Sequence, residues 1–120
     1  MRTRLITAEL EERFAHYPLY KQDGLSREAI CVCCFYIGHI RWYALEGQPE
    51  KGDFTIFGIV VGMGQTEYGY SSIREMEEIA IEHPMFPTPL RIEQDSSICN
   101  VPIGSIEDKE LQRFLAHMAE

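Results

Sequence analysis

The sequence predicts a single α+β domain over residues 1–120. Its core is a small, mostly antiparallel sheet of three to five strands, packed with three helices. Three observations lead there. Two runs rich in β-branched and aromatic residues, 29–37 and 40–45, are separated only by Gly38 and His39. Ser72 stands three residues before Glu75 and opens an amphipathic stretch. Near the end of the chain, Leu111, Phe114, Leu115 and Met118 recur at helical spacing.

In chain order, a first helix is predicted over residues 8–17. Thr7 can cap it, Glu9, Glu11 and Glu12 lie near its positive end, and Pro18 stops it. The Gly38-His39 loop suits a type II′ turn and sets Ile37 opposite Ile40, Phe35 opposite Trp42 and Cys33 opposite Ala44. One face then carries Cys31, Cys33, Phe35, Ile37, Ile40 and Trp42. The other carries Ile30, Val32, Cys34, Tyr36, Tyr43 and Leu45. Both faces are largely apolar, so the hairpin should be central and covered on both sides. That cover can come from the chain's own helices or from a second copy; with three short helices available, the reading leans toward a second copy and a homodimer. Residues 47–53 read as a loop, and 54–61 as a third strand interrupted by Gly58. A short fourth strand falls in 65–70. A helix over 73–81 buries Ile73, Met76, Ile79 and Ala80, a strand follows near 90–93, and a last helix opens at Ser105.

Charge narrows the function. The chain has 11 Lys and Arg against 19 Asp and Glu, a net charge of -8. Gripping duplex DNA by its phosphates needs a basic surface, which this composition lacks. Residues 1–60 hold eight acids and seven bases, whereas 61–120 hold eleven acids and four bases. The apolar stretches 29–37 and 54–62 are too short for the roughly 20 residues a bilayer demands. No secretory signal is evident, and a cytoplasmic location is expected.

Several constellations could carry chemistry. The four cysteines, Cys31, Cys33, Cys34 and Cys99, lack the paired C-x-x-C spacing of structural zinc sites. They read as buried reduced thiols, with no metal expected. Glu67, Glu93 and Asp95 could converge on Mg²⁺ or Mn²⁺ and support metal-dependent cleavage of single-stranded DNA. Trp42, Tyr43, Tyr68 and Tyr70 could stack bases, although Trp42 reads as core. Glu75, Glu78 and Glu82, with Glu107, Asp108 and Glu110, give two acidic helix faces. Such a surface could mimic nucleic acid and occupy the basic cleft of a nucleic-acid-binding protein. The preferred reading is therefore a small accessory or inhibitor protein acting through this acidic surface, with the nuclease as the alternative.

Arg41-Trp42-Tyr43, Phe57-Gly58, Glu67-Tyr68-Gly69-Tyr70 running into residues 72–77, and Glu93-Gln94-Asp95 follow one another in an order that resembles a bacterial family of unknown function. That family's pattern runs W-Y, F-G, E-x-G-Y-F-S-L-x-E-L, E-R-D. The opening Leu5-Ile6-Thr7-Ala8-Glu9-Leu10 is similar to theirs as well. Gln94 stands where the family has Arg, and Ser71 where an aromatic is usual. The resemblance implies a bacterial cytosol and an origin on plasmids, phages or integrative elements. Some members are labelled single-stranded DNA endonucleases, but the resemblance assigns no catalytic residue.

Overall fold

The computed structural model describes residues 2–118. Helix α1 (Ala8–Phe14) is capped by Thr7, whose hydroxyl accepts the Leu10 amide. It ends sooner than predicted because the chain turns to reach the sheet: the Tyr17 carbonyl accepts the Gly47 amide at 2.9 Å. A loop and a short 3-10 turn (Ser26–Glu28) lead to β1 (Ile30–Cys31) and β2 (Cys33–Ile37). Next come β3 (Ile40–Glu50), β4 (Asp53–Val61) and β5 (Glu67–Ser72). Helix α2 (Ile73–Glu78) follows, then the short strands β6 (Ala80–Ile81), β7 (Leu90–Arg91), β8 (Glu93–Gln94) and β9 (Val101–Pro102). A second 3-10 turn (Ile103–Ser105) precedes α3 (Lys109–Met118).

The main sheet is antiparallel, in the order β5-β4-β3-β2-β8. The β2–β3 register matches the expectation at every pair, from Ile37 opposite Ile40 to Cys33 opposite Ala44. Gly38, at φ 57°, supplies the left-handed first position of the turn. The predicted loop at 47–53 is instead the end of an eleven-residue β3 and a tight hairpin. Lys51 and Gly52 both adopt positive φ there, so two residues reverse the chain.

Each face of the sheet is covered by the chain itself, which removes the reason for expecting a second copy as cover. On the first face, α1, α2 and the N-terminal segment bury Leu10, Phe14, Phe35, Trp42, Phe54, Ile56, Ile73, Met76 and Ile92 together. On the second, α3 and the 3-10 turns bury Ala29, Cys31, Cys34, Tyr43, Leu45, Ile59, Ile103, Leu111 and Leu115. The first helix's Leu10 and Phe14 share a face as their spacing requires.

Two facial assignments are corrected. Cys31 lies in the second core and Val32 in the first, the reverse of strict alternation. The cause is a break at Val32. Strand β1 leaves the main sheet to pair with β9, and the chain re-enters at Cys33. The second correction is the helix predicted over 73–81. It stops at Glu78, Ile79 is extended, and β6 pairs with β7 across a return stiffened by Pro84, Pro87 and Pro89. Ala80 is consequently exposed and belongs to no buried stripe. The last helix also starts later than Ser105. Asp108 caps it, its carboxylate accepting the Leu111 amide at 3.2 Å.

Strand β4 runs through Gly58 without interruption, because β3 supplies the irregularity. Leu45 is an extra residue: Ala44 pairs with Gly58, and Glu46, not Leu45, pairs with Phe57. This bulge brings the Tyr43 carbonyl oxygen to 1.9 Å from where a Cβ on Gly58 would stand. Gly58→Ala should therefore destabilise the fold by about 3 kcal/mol or more, since β3 or β4 must shift. Gly69 is directly opposite Gly58 on β5, and a Cβ there meets nothing within 4 Å. Gly69→Ala should change stability by less than about 1 kcal/mol. Urea denaturation of the two variants measures the difference.

Candidate functional site

The acidic helix faces do not form one surface. Glu75 and Glu78 are exposed on α2, which covers the first face of the sheet, and Glu82 lies beyond β6 rather than on a helix. Glu107, Asp108 and Glu110 sit at the start of α3, over the second face. Asp108 is not free to meet a partner. Besides capping α3, it accepts the Tyr43 hydroxyl at 2.6 Å. Burial, followed by this carboxylate's hydrogen bond and charge, holds the Tyr43 proton on. Ser72 caps α2 by accepting the Glu75 amide, and its own hydroxyl donates to the Asp53 carboxylate.

A different set of carboxylates flanks β5, an outer strand of the sheet, from its two sides. Glu67 and Glu75 line one groove of about 320 Å³, whose lining also includes the buried Trp42 and Met76. Around the other side of the same strand, Glu110 accepts the Thr66 hydroxyl at 3.3 Å. None of the three carboxylates makes an ion pair among the described residues.

The proposed metal set is dispersed. Glu67 pairs with Val60 on β4, whereas Glu93 pairs with Tyr36 on β2, at the opposite side of the sheet. Four strand spacings separate β5 from β8, or roughly 19 Å. Carboxylates sharing one ion must each approach it to within about 2.6 Å. Asp95 is occupied structurally. It accepts the Ser97 amide at 3.0 Å and the Ser97 hydroxyl at 2.6 Å, and it faces Arg41 at 3.8 Å. Glu93 faces Arg4 at 3.6 Å. Among the described residues, no group of three His, Cys, Asp or Glu side chains could hold a metal ion.

All four cysteines are free thiols; Cys31, Cys33 and Cys34 are buried as expected, but Cys99, expected to be buried with them, is exposed. Burial raises all three buried thiols, Cys34 to about 12 even with the Arg41 guanidinium beside it. None of the three is poised as a thiolate nucleophile at neutral pH. Trp42 is core, as expected. Tyr68 and Tyr70 project from β5 on the second face, where Phe57 stacks on Tyr68 and tilts against Tyr70.

Residue-by-residue reading of the sequence missed one site. The β3 bulge turns Leu45 and Glu46 toward the same face, and the Glu46 side chain ends up only 2% exposed. Its two oxygens accept the backbone amides of Tyr20 at 2.8 Å and Gln22 at 2.7 Å. The Gln22 amide group is buried beside it. It donates to the Ile30 and Leu45 carbonyls and accepts the Ile30 amide at 2.6 Å. These two side chains fasten the loop after α1 to β1 and β3. Next to them opens a cavity of about 430 Å³, with Asp23, Phe57 and Tyr68 in its wall. The available signal was a lone Glu between Leu45 and Gly47 in a strand-like run, opposite a glycine-bearing strand.

A family sequence model matches residues 5–102 of the chain. The chain belongs to DUF2958, a family of proteins of unknown function. No curated protein and no solved structure matches it. The DUF2958 match takes in Gln22, Asp23, Glu46, Phe57 and Tyr68, together with Glu67 and Glu75. It ends before α3, so Glu107, Asp108 and Glu110 lie beyond the matched residues.

Two measurements test this picture. A thiol reagent should titrate Cys99 alone in the native protein and the three buried cysteines only after denaturation. The Ser97 hydroxyl, then the Ser97 amide and the Arg41 charge, hold the Asp95 carboxyl below its ordinary value against the opposing effect of burial. A depressed folded-state pKa contributes stability above the unfolded value, and that contribution is lost as pH falls through the folded value. Asp95→Asn should thus cost about 1 kcal/mol at neutral pH, with the gap to the parent protein closing in denaturation curves as pH falls below the ordinary aspartate value.

Proposed function

We propose that this chain is a non-catalytic accessory or inhibitor protein of the bacterial cytoplasm, of the kind mobile elements carry, and that it docks a basic protein surface along β5. The reading rests on one observation: Glu67, Glu75 and Glu110 flank the same outer strand, and none of them makes an ion pair among the described residues, although Arg113 and His117 line the groove beside Glu110. Carboxylates outside ion pairs lower the potential over that edge, most of all along the groove of Glu67 and Glu75, whose lining holds no basic side chain. They steer a positively charged surface toward it and repel negatively charged ones. The outer strand also offers backbone groups to a partner, and its charges discourage indiscriminate strand pairing. A nucleic-acid-binding protein, with its basic cleft, is the partner class that fits this potential. The wide separation of Glu67 from Glu93 and Asp95 leaves the nuclease reading without a metal centre to support it.

The test compares two triple charge reversals in affinity capture from a lysate of the host cell. Glu67→Lys with Glu75→Lys and Glu110→Lys should lose a specific, salt-sensitive partner, with affinity reduced at least about tenfold. Glu78→Lys with Glu82→Lys and Glu107→Lys lies off the edge and should retain it. Equal loss in both variants would show that overall charge, not the β5 edge, governs binding. Retention in both would remove the edge from the interaction.

A further inference from the structure

The cavity beside Glu46 supports an inference that goes beyond the docking edge and does not depend on it. Buried carboxylates in proteins are ordinarily paired with a cation. Glu46 receives two backbone amides, one on each oxygen, which leaves acceptor capacity on both. Among the described residues no Lys, Arg or His is within ion-pair distance of it. The cavity wall contains no basic side chain, and Asp23 adds a second carboxylate at its exposed side. Arg27, next in sequence to a wall residue, lies against Gly104 instead, outside the wall. The aromatic part of the wall is ordered: the Phe57 and Tyr68 rings are parallel within 1°, with centroids 5.6 Å apart. Tyr68 in turn is braced edge-on by Phe114 of α3.

We propose that this cavity binds an organic cation of the guanidinium type, with Glu46 as its charge partner and Phe57 and Tyr68 as its stacking wall. A flat guanidinium offers two parallel N–H donors that match the two oxygens of one carboxylate. It also stacks on aromatic faces, which a compact, strongly hydrated ammonium does less well. The volume of about 430 Å³ falls in the usual range of small-ligand cavities. The hydrogen bond with the Tyr20 hydroxyl, then burial, then the Asp23 and Glu46 carboxylates raise the Tyr70 hydroxyl above its ordinary value. The cation could be a free arginine-like molecule or the arginine side chain of a protein, and the chemistry of recognition is the same.

Calorimetric titration of the full chain tests this with L-arginine amide, its isostere with an uncharged side chain L-citrulline amide, and a Gly-Arg-Gly peptide amide. Arginine amide should bind, and citrulline amide at least tenfold more weakly. Glu46→Gln should weaken arginine amide binding at least tenfold, and Tyr68→Leu about fivefold. If Glu46→Gln fails to fold, Asp23→Asn combined with Tyr68→Leu carries the test, because neither residue shares the Glu46 hydrogen bonds. Tighter binding of the peptide than of arginine amide assigns the cavity to a partner's side chain, and weaker binding assigns it to a free cation. The triple reversal of Glu67, Glu75 and Glu110 should leave arginine amide binding within about twofold, which separates this cavity from the docking edge. Equal binding of citrulline amide, no binding at about 10 mM arginine amide, indifference to the cavity variants, or displacement by calcium chloride would overturn the proposal.

Discussion

The close approach of Gly58 to the Tyr43 carbonyl governs the second face of the sheet. Because β4 offers no side chain at that point, β3 can accommodate Leu45 as an extra residue. Leu45 and the following residue then face the same way. A strand without the bulge would aim Glu46 into the apolar core under α1 and α2, where a carboxylate would be costly to bury. With the bulge, Glu46 meets two backbone amides and a cavity instead. Hydrogen bonds to a charged group contribute about 1.5–3 kcal/mol each. The loop carrying Tyr20 and Gln22 is consequently held by the same residue that charges the cavity.

The placement of charge follows from the layering. Helices α2 and α3 cover opposite faces of the sheet, so the acids they carry cannot form one helical surface. Glu75 and Glu110 reach the neighbourhood of β5 from its two sides. The same layering separates Glu67 from Glu93, since β5 and β8 are the two outer strands. Asp53, Glu77, Asp95 and Asp108 have been drawn into caps, turns and tethers, as when Glu77 accepts the Leu5 amide at 2.7 Å. Net charge therefore overstates how much acidity faces a partner.

Much of the fold was legible in the residues. A two-residue loop beginning with glycine ties a hairpin's register to its turn, so every β2–β3 pair could be read in advance. The apolar stripe of α3 was legible at Leu111 and Leu115, which are buried, and at the half-buried Phe114, but Met118 at its end is exposed. The failures share a cause: they depend on partners distant in sequence. Nothing near Ala80 says that Leu90 and Arg91 will return to pair with it, and local helical spacing prevailed in the reading. The break at Val32 depends on β9, some seventy residues away. Glu46 was passed over because its burial depends on a bulge, and the bulge on a glycine in another strand. The acidic residues were visible as types, but which of them share an edge is a property of sheet order.

The bulge has a consequence for misfolding as well. Strands β3 and β4 pair over nearly their whole length, and both carry apolar residues on both faces, so hydrophobicity alone would tolerate a one-residue slip between them. A slip would set a residue other than Gly58 against the Tyr43 carbonyl and would separate Glu46 from the amides that solvate it. The irregularity thus works as a notch, admitting one alignment of the two longest strands and penalising the neighbouring ones.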